Sequence, residues 1–295
     1  METAKIAEPI WGDKLYQQRA REAFPILVRQ SIAGQPIFYS DLADELQMPN
    51  PRNLNYVLGS IGQTLQNLSL EWQEKIPPIN CIVINKSTGL PGEGVGWFID
   101  DKNKFATLPR KNQRAIVDVE LQNIYAYRRW LEILHLLGLE YQQTTDYSVF
   151  ANQARRRLGQ GESEYHRKFK EFINQNPQIL GLPKSTQPGH LEFGLPSGDT
   201  LDVLFIGKTD WVVAEAKSRI SDTADIYRGI YQCVKYNAIV EAYQSEKGLS
   251  PSCRVILVLQ NKFPKELIEL KNLLGVEVID NIFMEQENNS LLSND

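Results

Sequence analysis

Two apolar runs around a short turn are the feature that most constrains what this chain can fold into. Residues 200–217 read TLDVLFIGKTDWVVAEAK, and both runs are rich in β-branched and aromatic residues. This pattern predicts a β-hairpin that turns over the central Lys-Thr pair. Asp202 would then lie opposite Glu215, and the alternation of side chains along a strand would place Glu215 and Lys217 on one face.

The apolar pattern of the hairpin places its charged residues in strands that we expect to be buried, where a charge is energetically unfavourable. Near-continuous apolar strands are usually buried on both faces, and a buried charge is unfavourable unless it is paired. Opposed carboxylates also repel each other across a strand pair. A divalent cation, which prefers oxygen ligands, would offset both costs. The pattern therefore predicts a metal site at Asp202 and Glu215 beside the Lys217 ammonium; ordinary exposed hairpin charges are the alternative.

Length and composition indicate a two-domain globular protein. The chain has 295 residues, of which 42% are hydrophobic and 23% are charged. This length allows two separate cores, and we expect domains at residues 1–150 and 151–295, joined by the polar stretch 142–153. The net charge of -4 does not favour nucleic acid over the whole surface. Nucleic-acid binding would have to come from local basic clusters.

The sequence favours a reduced, cytoplasmic protein without a membrane partner. Its 3 cysteines are odd in number and widely spaced, which fits neither a disulfide framework nor a zinc site. The first residues are polar and lack the apolar core of a signal peptide. The longest apolar run, Val255–Leu259, is too short to cross a bilayer.

The first domain has a helix-turn-helix pattern. Residues 13–33 predict a helix interrupted at Pro25. Ser40 is placed to cap a short helix over 39–46, and a proline-containing turn leads to a second helix over 52–61. Two short helices joined by a tight turn are typical of DNA-binding modules.

A wing is expected after these helices. Residues 77–85 predict a strand, 86–96 a glycine-rich loop, and 97–99 a returning strand, which together indicate a winged helix-turn-helix. A long helix over 111–137 follows. This part of the chain also looks like the winged-helix modules found with restriction-type nucleases.

The second helix of a helix-turn-helix reads bases with its N-terminal residues. Those residues here are Arg52, Asn53 and Asn55. Arginine pairs well with guanine and asparagine with adenine, so we expect these three side chains to contact DNA. Exposed side chains on a protein-binding module are the alternative.

The second domain predicts an α/β fold with a mixed sheet. Apolar periodicity and breakers give the order helix, hairpin, helix, strand, helix, strand. Apart from the hairpin, the predicted elements cover residues 162–174, 223–245, 254–260, 265–274 and 276–279.

The order Asp202, then Glu215-Ala216-Lys217, resembles the PD-(D/E)XK nuclease superfamily, whose restriction-endonuclease-like core has the arrangement αβββαβ. Leu201 stands where that family has proline, which leaves the carboxylate intact. Gln232 and Tyr236 fit the Gln-x-x-x-Tyr pattern of the RecB-like branch, and their spacing of four puts them on one helix face. The resemblance covers residues 155–280.

This resemblance implies a Mg²⁺-dependent deoxyribonuclease, with Mn²⁺ as a substitute ion, that hydrolyses phosphodiester bonds. It also implies a glutamate from the preceding helix. Glu162 lies at the edge of that helix's apolar face, whereas Glu164 points away from it. The implied metal ligands are Asp202, Glu215 and Glu162; the implied catalytic residues are Glu162, Asp202, Glu215, Lys217, Gln232 and Tyr236.

A DNA-reading domain joined to a nuclease domain indicates a restriction or defence endonuclease. Cutting both strands requires two active sites, so we expect a homodimer on DNA. A DNA-binding regulator with an inactive nuclease-like domain is one alternative. A nuclease of DNA repair or junction processing is another.

Overall fold

The computed structural model describes residues 6–99, 105–156, 163–208 and 210–284. The chain divides into two compact units, residues 1–144 and 145–295, here called the N-terminal unit and the C-terminal unit. Across the residues described, the helices are all too short or too polar to cross a membrane.

The N-terminal unit is mainly helical and packs around a single apolar core. A two-residue parallel strand pair, β1 with β2, is its only sheet among the described residues. Its elements are α1 (Leu15–Ala33), β1 (Ile37–Phe38), α2 (Tyr39–Glu45), α3 (Leu54–Trp72), β2 (Val83–Ile84), α4 (Arg110–Ala126) and α5 (Trp130–Leu136).

The two helices of the predicted helix-turn-helix pattern are α2 and α3, with differences at their ends. A 3-10 turn, Pro51–Asn53, precedes α3, which continues well past the predicted end because its apolar residues stay in the core. Ser40 is not the cap of α2, since Phe38 occupies that position. Pro25 does not interrupt α1.

The predicted wing is wrong in its strands. Residues 79–82 form a 3-10 turn in which Cys81 N donates to Pro78 O, and only β2 is extended. The returning strand expected over 97–99 is not formed: Trp97 ends another 3-10 turn, Glu93–Trp97, and residues 98 and 99 are a turn and a bend. The amides of this 3-10 turn bond to nearby carbonyls, such as Val95 N to Gly92 O at 3.0 Å, so this backbone is satisfied without a partner strand.

The single helix expected over 111–137 is two helices, α4 and α5. At the break, the buried indole Nε1 of Trp130 donates to Ile124 O at 2.9 Å. Ser31 Oγ donates to the same carbonyl at 3.0 Å, so side chains bind a carbonyl in the last turn of α4. Tyr127 is extended, and the chain restarts as a helix at Trp130.

The C-terminal unit is a mixed α/β structure. Its helices and strands follow the predicted order, with one additional helix and one additional strand. They are α6 (Ser148–Arg156), α7 (Glu164–Gln175), β3 (His190–Gly194), β4 (Thr200–Ile206), β5 (Trp211–Lys217), α8 (Thr223–Glu246), β6 (Cys253–Leu259), α9 (Ile268–Leu273) and β7 (Glu277–Ile279).

Five of these strands form one mixed sheet within the described residues, in the order β3-β4-β5-β6-β7. The pairs β3–β4 and β4–β5 are antiparallel, whereas β5–β6 and β6–β7 are parallel. Apolar side chains of α8 pack on one face, and those of α7 pack on the other. All residues of β5 are therefore buried, as the continuous apolar run predicted.

Two features of the C-terminal unit were not predicted from the residues. The stretch expected to be a polar linker is helical from Ser148 onwards, so the expected boundary at residue 150 falls inside α6. Strand β3 was missed because it is a largely exposed edge strand without apolar alternation.

Candidate functional site

The hairpin of β4 and β5 has the predicted register. Val203 pairs with Ala214, and the ladder continues to Ile206 opposite Trp211. If this register continued by one more residue, Asp202 would lie opposite Glu215, but the regular pairing ends at Val203 and Ala214. Instead, Asp202 Oδ2 accepts the backbone N–H of Ala216 at 2.9 Å. The carboxylate of one strand thus binds the backbone of the next.

Asp202 is also contacted by two side chains of α7. His166 Nε2 lies 3.6 Å from Asp202 Oδ2, and Lys170 Nζ lies 3.9 Å from Oδ1. Burial by itself would raise the pKa of Asp202. The contact with His166, the amide of Ala216 and the charge of Lys217 outweigh burial and hold that pKa below its usual value. The surrounding groups therefore favour the ionised form of Asp202.

Glu215 and Lys217 form a buried ion pair near the end of β5. Lys217 Nζ donates to Glu215 Oε1 at 2.6 Å, and both side chains are almost fully buried. Burial raises the pKa of Glu215; Lys217 opposes this rise and the nearby charge of Asp202 adds to it. The two carboxylates thus have pKa values displaced in opposite directions.

A chain of hydrogen bonds extends from Lys217 to α8. Lys217 Nζ donates to Gln232 Oε1 at 3.2 Å, and Gln232 Nε2 donates to Tyr236 Oη at 3.2 Å. Burial raises the pKa of Tyr236, so its hydroxyl stays protonated. The structure therefore brings Gln232 and Tyr236 to the same buried cluster as the hairpin residues.

Close packing at Gly229 fixes the position of the lysine. A methyl group at this position of α8 would lie 2.8 Å from Lys217 Cε and 2.9 Å from Leu257 Cδ1. These distances are far shorter than a normal van der Waals contact. Only a glycine lets α8 approach the lysine stem this closely.

Glu162 lies outside the described residues, so its expected role stays a prediction. The helix it was assigned to begins at Glu164, with Ser163 as its cap: Ser163 Oγ accepts the amide of His166 at 3.2 Å.

Sequence reasoning missed the site contacts made by Lys170 and His166. Lys170 Nζ also donates to Glu192 Oε1 at 2.7 Å, and Glu192 of β3 has an unusual φ of 51°. The four-residue spacing of His166 and Lys170 on α7 was the available signal, because it places both on one helix face.

The three residues predicted to read DNA are exposed in the N-terminal unit. Arg52 and Asn53 belong to the 3-10 turn before α3, and Asn55 lies in the first turn of α3. Asn50 Oδ1 accepts the amide of Arg52 at 3.0 Å and so fixes the start of the turn. These side chains are available to a partner.

The donor set at the hairpin suits a hard divalent cation. Magnesium binds proteins through one or two carboxylates and fills its other positions with water and substrate phosphate. Asp202 and Glu215 supply two such carboxylates. Burial raises the pKa of Glu215, and a cation between the two side chains would offset the smaller, additional effect of the Asp202 charge. The described residues contain no group of three or more His, Cys, Asp or Glu side chains arranged as a metal site.

No protein-family profile matches this sequence, and no curated protein or solved structure matches it. What the site does must therefore be inferred from its own side chains.

Proposed function

We propose that the chain is a metal-dependent DNA endonuclease that hydrolyses phosphodiester bonds. The observation that carries this proposal is the buried contact of Lys217 with Glu215, level with Asp202 on the neighbouring strand. Two carboxylates can hold a divalent ion, and an ammonium beside them can stabilise charge on a phosphate; metal-dependent phosphodiester hydrolysis uses both. Perturbed pKa values of clustered groups support a functional site.

The order of elements also supports the proposal. Helix α7, strands β3, β4 and β5, helix α8 and strand β6 follow one another as αβββαβ. This is the order implied by the resemblance to the PD-(D/E)XK superfamily, and the acidic and lysine residues occur on its central hairpin.

In the proposed reaction, Asp202 and Glu215 would hold Mg²⁺ or Mn²⁺. The bound ion would lower the pKa of a water molecule and polarise the phosphate. Hydrolysis adds the water oxygen to phosphorus and breaks one phosphorus–oxygen ester bond. Lys217 would stabilise the negative charge that develops on the phosphate oxygens.

The neighbouring side chains keep these groups in place. Gln232 accepts one N–H of Lys217 and so orients its ammonium. Tyr236 binds the amide of Gln232 and completes the chain. The Ala216 amide orients Asp202. Such preorganisation lowers the cost of reaching the transition state.

The N-terminal unit would supply DNA recognition through Arg52, Asn53 and Asn55. Two helices and an exposed N-terminal turn favour a helix-turn-helix function, although the strands of a wing are not formed. We retain the proposal of a restriction or defence role and of a homodimer that cuts both strands.

Cleavage of supercoiled plasmid DNA in Mg²⁺ tests this function. We expect nicked or linear product with the wild type, and none when EDTA is added. Asp202→Asn and Lys217→Met should abolish cleavage but keep DNA binding. Glu171→Gln is the matched control, because it removes a carboxylate that is ion-paired with Arg167 on the exposed part of α7.

Three other results have clear meanings. Equal cleavage by wild type, Asp202→Asn and Lys217→Met would rule out this active site. DNA binding without cleavage in Mg²⁺ or Mn²⁺ would favour the regulator with an inactive nuclease-like domain. Cleavage confined to flaps or four-way junctions would favour the repair enzyme.

A further inference from the structure

Arg228 of α8 is a half-buried arginine whose charge is not matched by the protein. Its Nε is buried and makes no hydrogen bond, whereas its two terminal nitrogens reach solvent. Within the described part of the chain, its guanidinium group has neither a hydrogen-bond acceptor nor an ion-pair partner. Partial burial of an unpaired charge is unfavourable, so this arginine is a candidate for binding an anion from outside the chain.

Two other cations of the C-terminal unit show the usual arrangement. Lys235, also on α8, has its Nζ 2.5 Å from Asp199 Oδ1. The guanidinium group of Arg254 on β6 lies 2.6 Å from a carboxylate oxygen of Glu277. Each of these cations is neutralised by a carboxylate within the chain, so its charge contributes to the folded structure. The charge of Arg228 has no such structural role.

The position of Arg228 on α8 places it beside the residues that hold the Lys217 ammonium. Arg228 precedes Gln232 by four residues, so their side chains lie on one helix face, one turn apart. Gln232 Oε1 accepts from Lys217 Nζ at 3.2 Å. Gly229, the next residue, is where α8 comes closest to the lysine stem. Side chains lean towards the N-terminus of their helix, and α8 begins six residues after β5 ends at Lys217.

The anion that best fits this arginine is a phosphate of the DNA backbone. The terminal nitrogens of an arginine form a planar fork that binds two phosphate oxygens at once. Lys217 already pairs with Glu215 at 2.6 Å, so its charge is largely balanced within the protein. Arg228 adds a cation whose charge is still available. Phosphates lie on the outside of a duplex, so this contact requires no unpairing of bases.

We propose that Arg228 binds a backbone phosphate of duplex DNA at the proposed active site through its two terminal nitrogens. This inference rests on the proposed nuclease function and adds a phosphate-binding residue that the sequence analysis did not single out. The contact is independent of base sequence, so it positions the DNA backbone and leaves sequence preference unchanged.

Binding of a fluorescein-labelled blunt duplex by the full chain in EDTA, at several salt concentrations, tests this residue without requiring cleavage. Arg228→Ala should weaken binding about tenfold, from the usual contribution of a charged hydrogen bond. It should also reduce the slope of log K against log salt by about one unit, because one phosphate contact is lost. Arg228→Lys keeps the charge, so it should keep the wild-type slope.

Lys247→Ala is the matched control, because it removes the cation that lies over the Tyr243 ring at the other end of α8. It should keep the wild-type affinity and slope. Melting curves separate binding from a structural role. Arg228→Ala removes an unpaired and partly buried charge, so it should melt at or above the wild-type temperature.

The proposal is overturned if Arg228→Ala binds the duplex with the wild-type affinity and slope, or if the wild type does not bind the duplex. It is also overturned if Lys247→Ala lowers the slope as much, if Arg228→Lys loses the slope as Arg228→Ala does, or if Arg228→Ala melts well below the wild type. Failure of the nuclease function is recognised separately, as absence of metal-dependent cleavage by a wild type whose DNA binding depends on Arg228.

Discussion

Lys217 Nζ and Glu215 Oε1 are 2.6 Å apart, and both side chains are buried near the end of β5. Removing one partner of a buried ion pair leaves an uncompensated charge, which typically costs about 3–5 kcal/mol. We therefore expect Lys217→Met to lower the free energy of unfolding by about that amount in urea denaturation.

The double variant Lys217→Met with Glu215→Gln provides the control. It leaves no unpaired charge, so it should regain part of the stability lost by Lys217→Met. A double variant as unstable as the sum of the two single variants would show that the pair is not coupled.

The pKa of Glu215 leads to a stability prediction. Because burial raises this pKa above its usual 4.5, the folded state binds the Glu215 proton more tightly than the unfolded state does. Stability then falls as pH rises from about that value towards the folded pKa. The lowered pKa of Asp202 affects stability at pH values below its usual pKa of 3.8, so it does not account for a change at higher pH.

We expect the free energy of unfolding of the wild type to fall relative to that of Glu215→Gln as pH rises above about 4.5 without metal, because the folded wild type must then lose the Glu215 proton that it binds more tightly. Chemical denaturation at several pH values measures this difference. A constant difference between the two proteins over this range would contradict the raised pKa.

The hairpin shows how much of the site could be read from the sequence. Its register follows from a two-residue periodicity and a short turn, both of which are local, so the level positions of Asp202 and Glu215 could be derived. The hydrogen bond from the Ala216 amide to the Asp202 carboxylate could not be derived, because it depends on where the backbone pairing of β4 and β5 stops.

Contacts between elements were harder to predict. His166 and Lys170 reach Asp202 only because α7 docks on the sheet at a particular angle, which periodicity does not fix. The apolar pattern of β6 predicted a buried strand, but the exposed strand β3 carried no such pattern. Glycine-rich sequence was equally compatible with the expected wing and with the observed 3-10 turn at Glu93–Trp97.

Gly229→Ala tests whether the lysine position matters. The added methyl group would displace Lys217 Cε or Leu257 Cδ1. Overpacking of this kind costs about 1–3 kcal/mol, partly offset by about 1 kcal/mol from the better helix propensity of alanine. We expect a small loss of stability and a much larger loss of Mg²⁺-dependent cleavage.

Gly194→Ala is the matched glycine control, because a methyl group there would meet no atom within 4 Å. It should cleave at the wild-type rate. Full cleavage activity in Gly229→Ala would show that the ammonium of Lys217 needs no fixed position.

Variants of the turn before α3 test whether this turn recognises DNA. Replacing Arg52 and Asn53 together by alanine should weaken binding to a preferred sequence, since a bidentate base contact contributes about 1–3 kcal/mol. The metal dependence of cleavage should be unchanged. Competition binding with a randomised DNA pool measures the effect, with the exposed Arg128→Ala as the charge control.

Unchanged affinity and unchanged sequence preference in the Arg52 and Asn53 variant would assign this turn to another role. A uniform loss over all sequences would indicate phosphate contacts alone.

The central claim is that Asp202 and Glu215 jointly bind a divalent cation, and anomalous X-ray scattering from crystals soaked in Mn²⁺ tests it most directly. We expect one strong peak with a carboxylate oxygen of each residue at about 2.0–2.6 Å, and no peak in Asp202→Asn crystals. The absence of a peak between these two side chains at saturating Mn²⁺ in the wild type would contradict the claim.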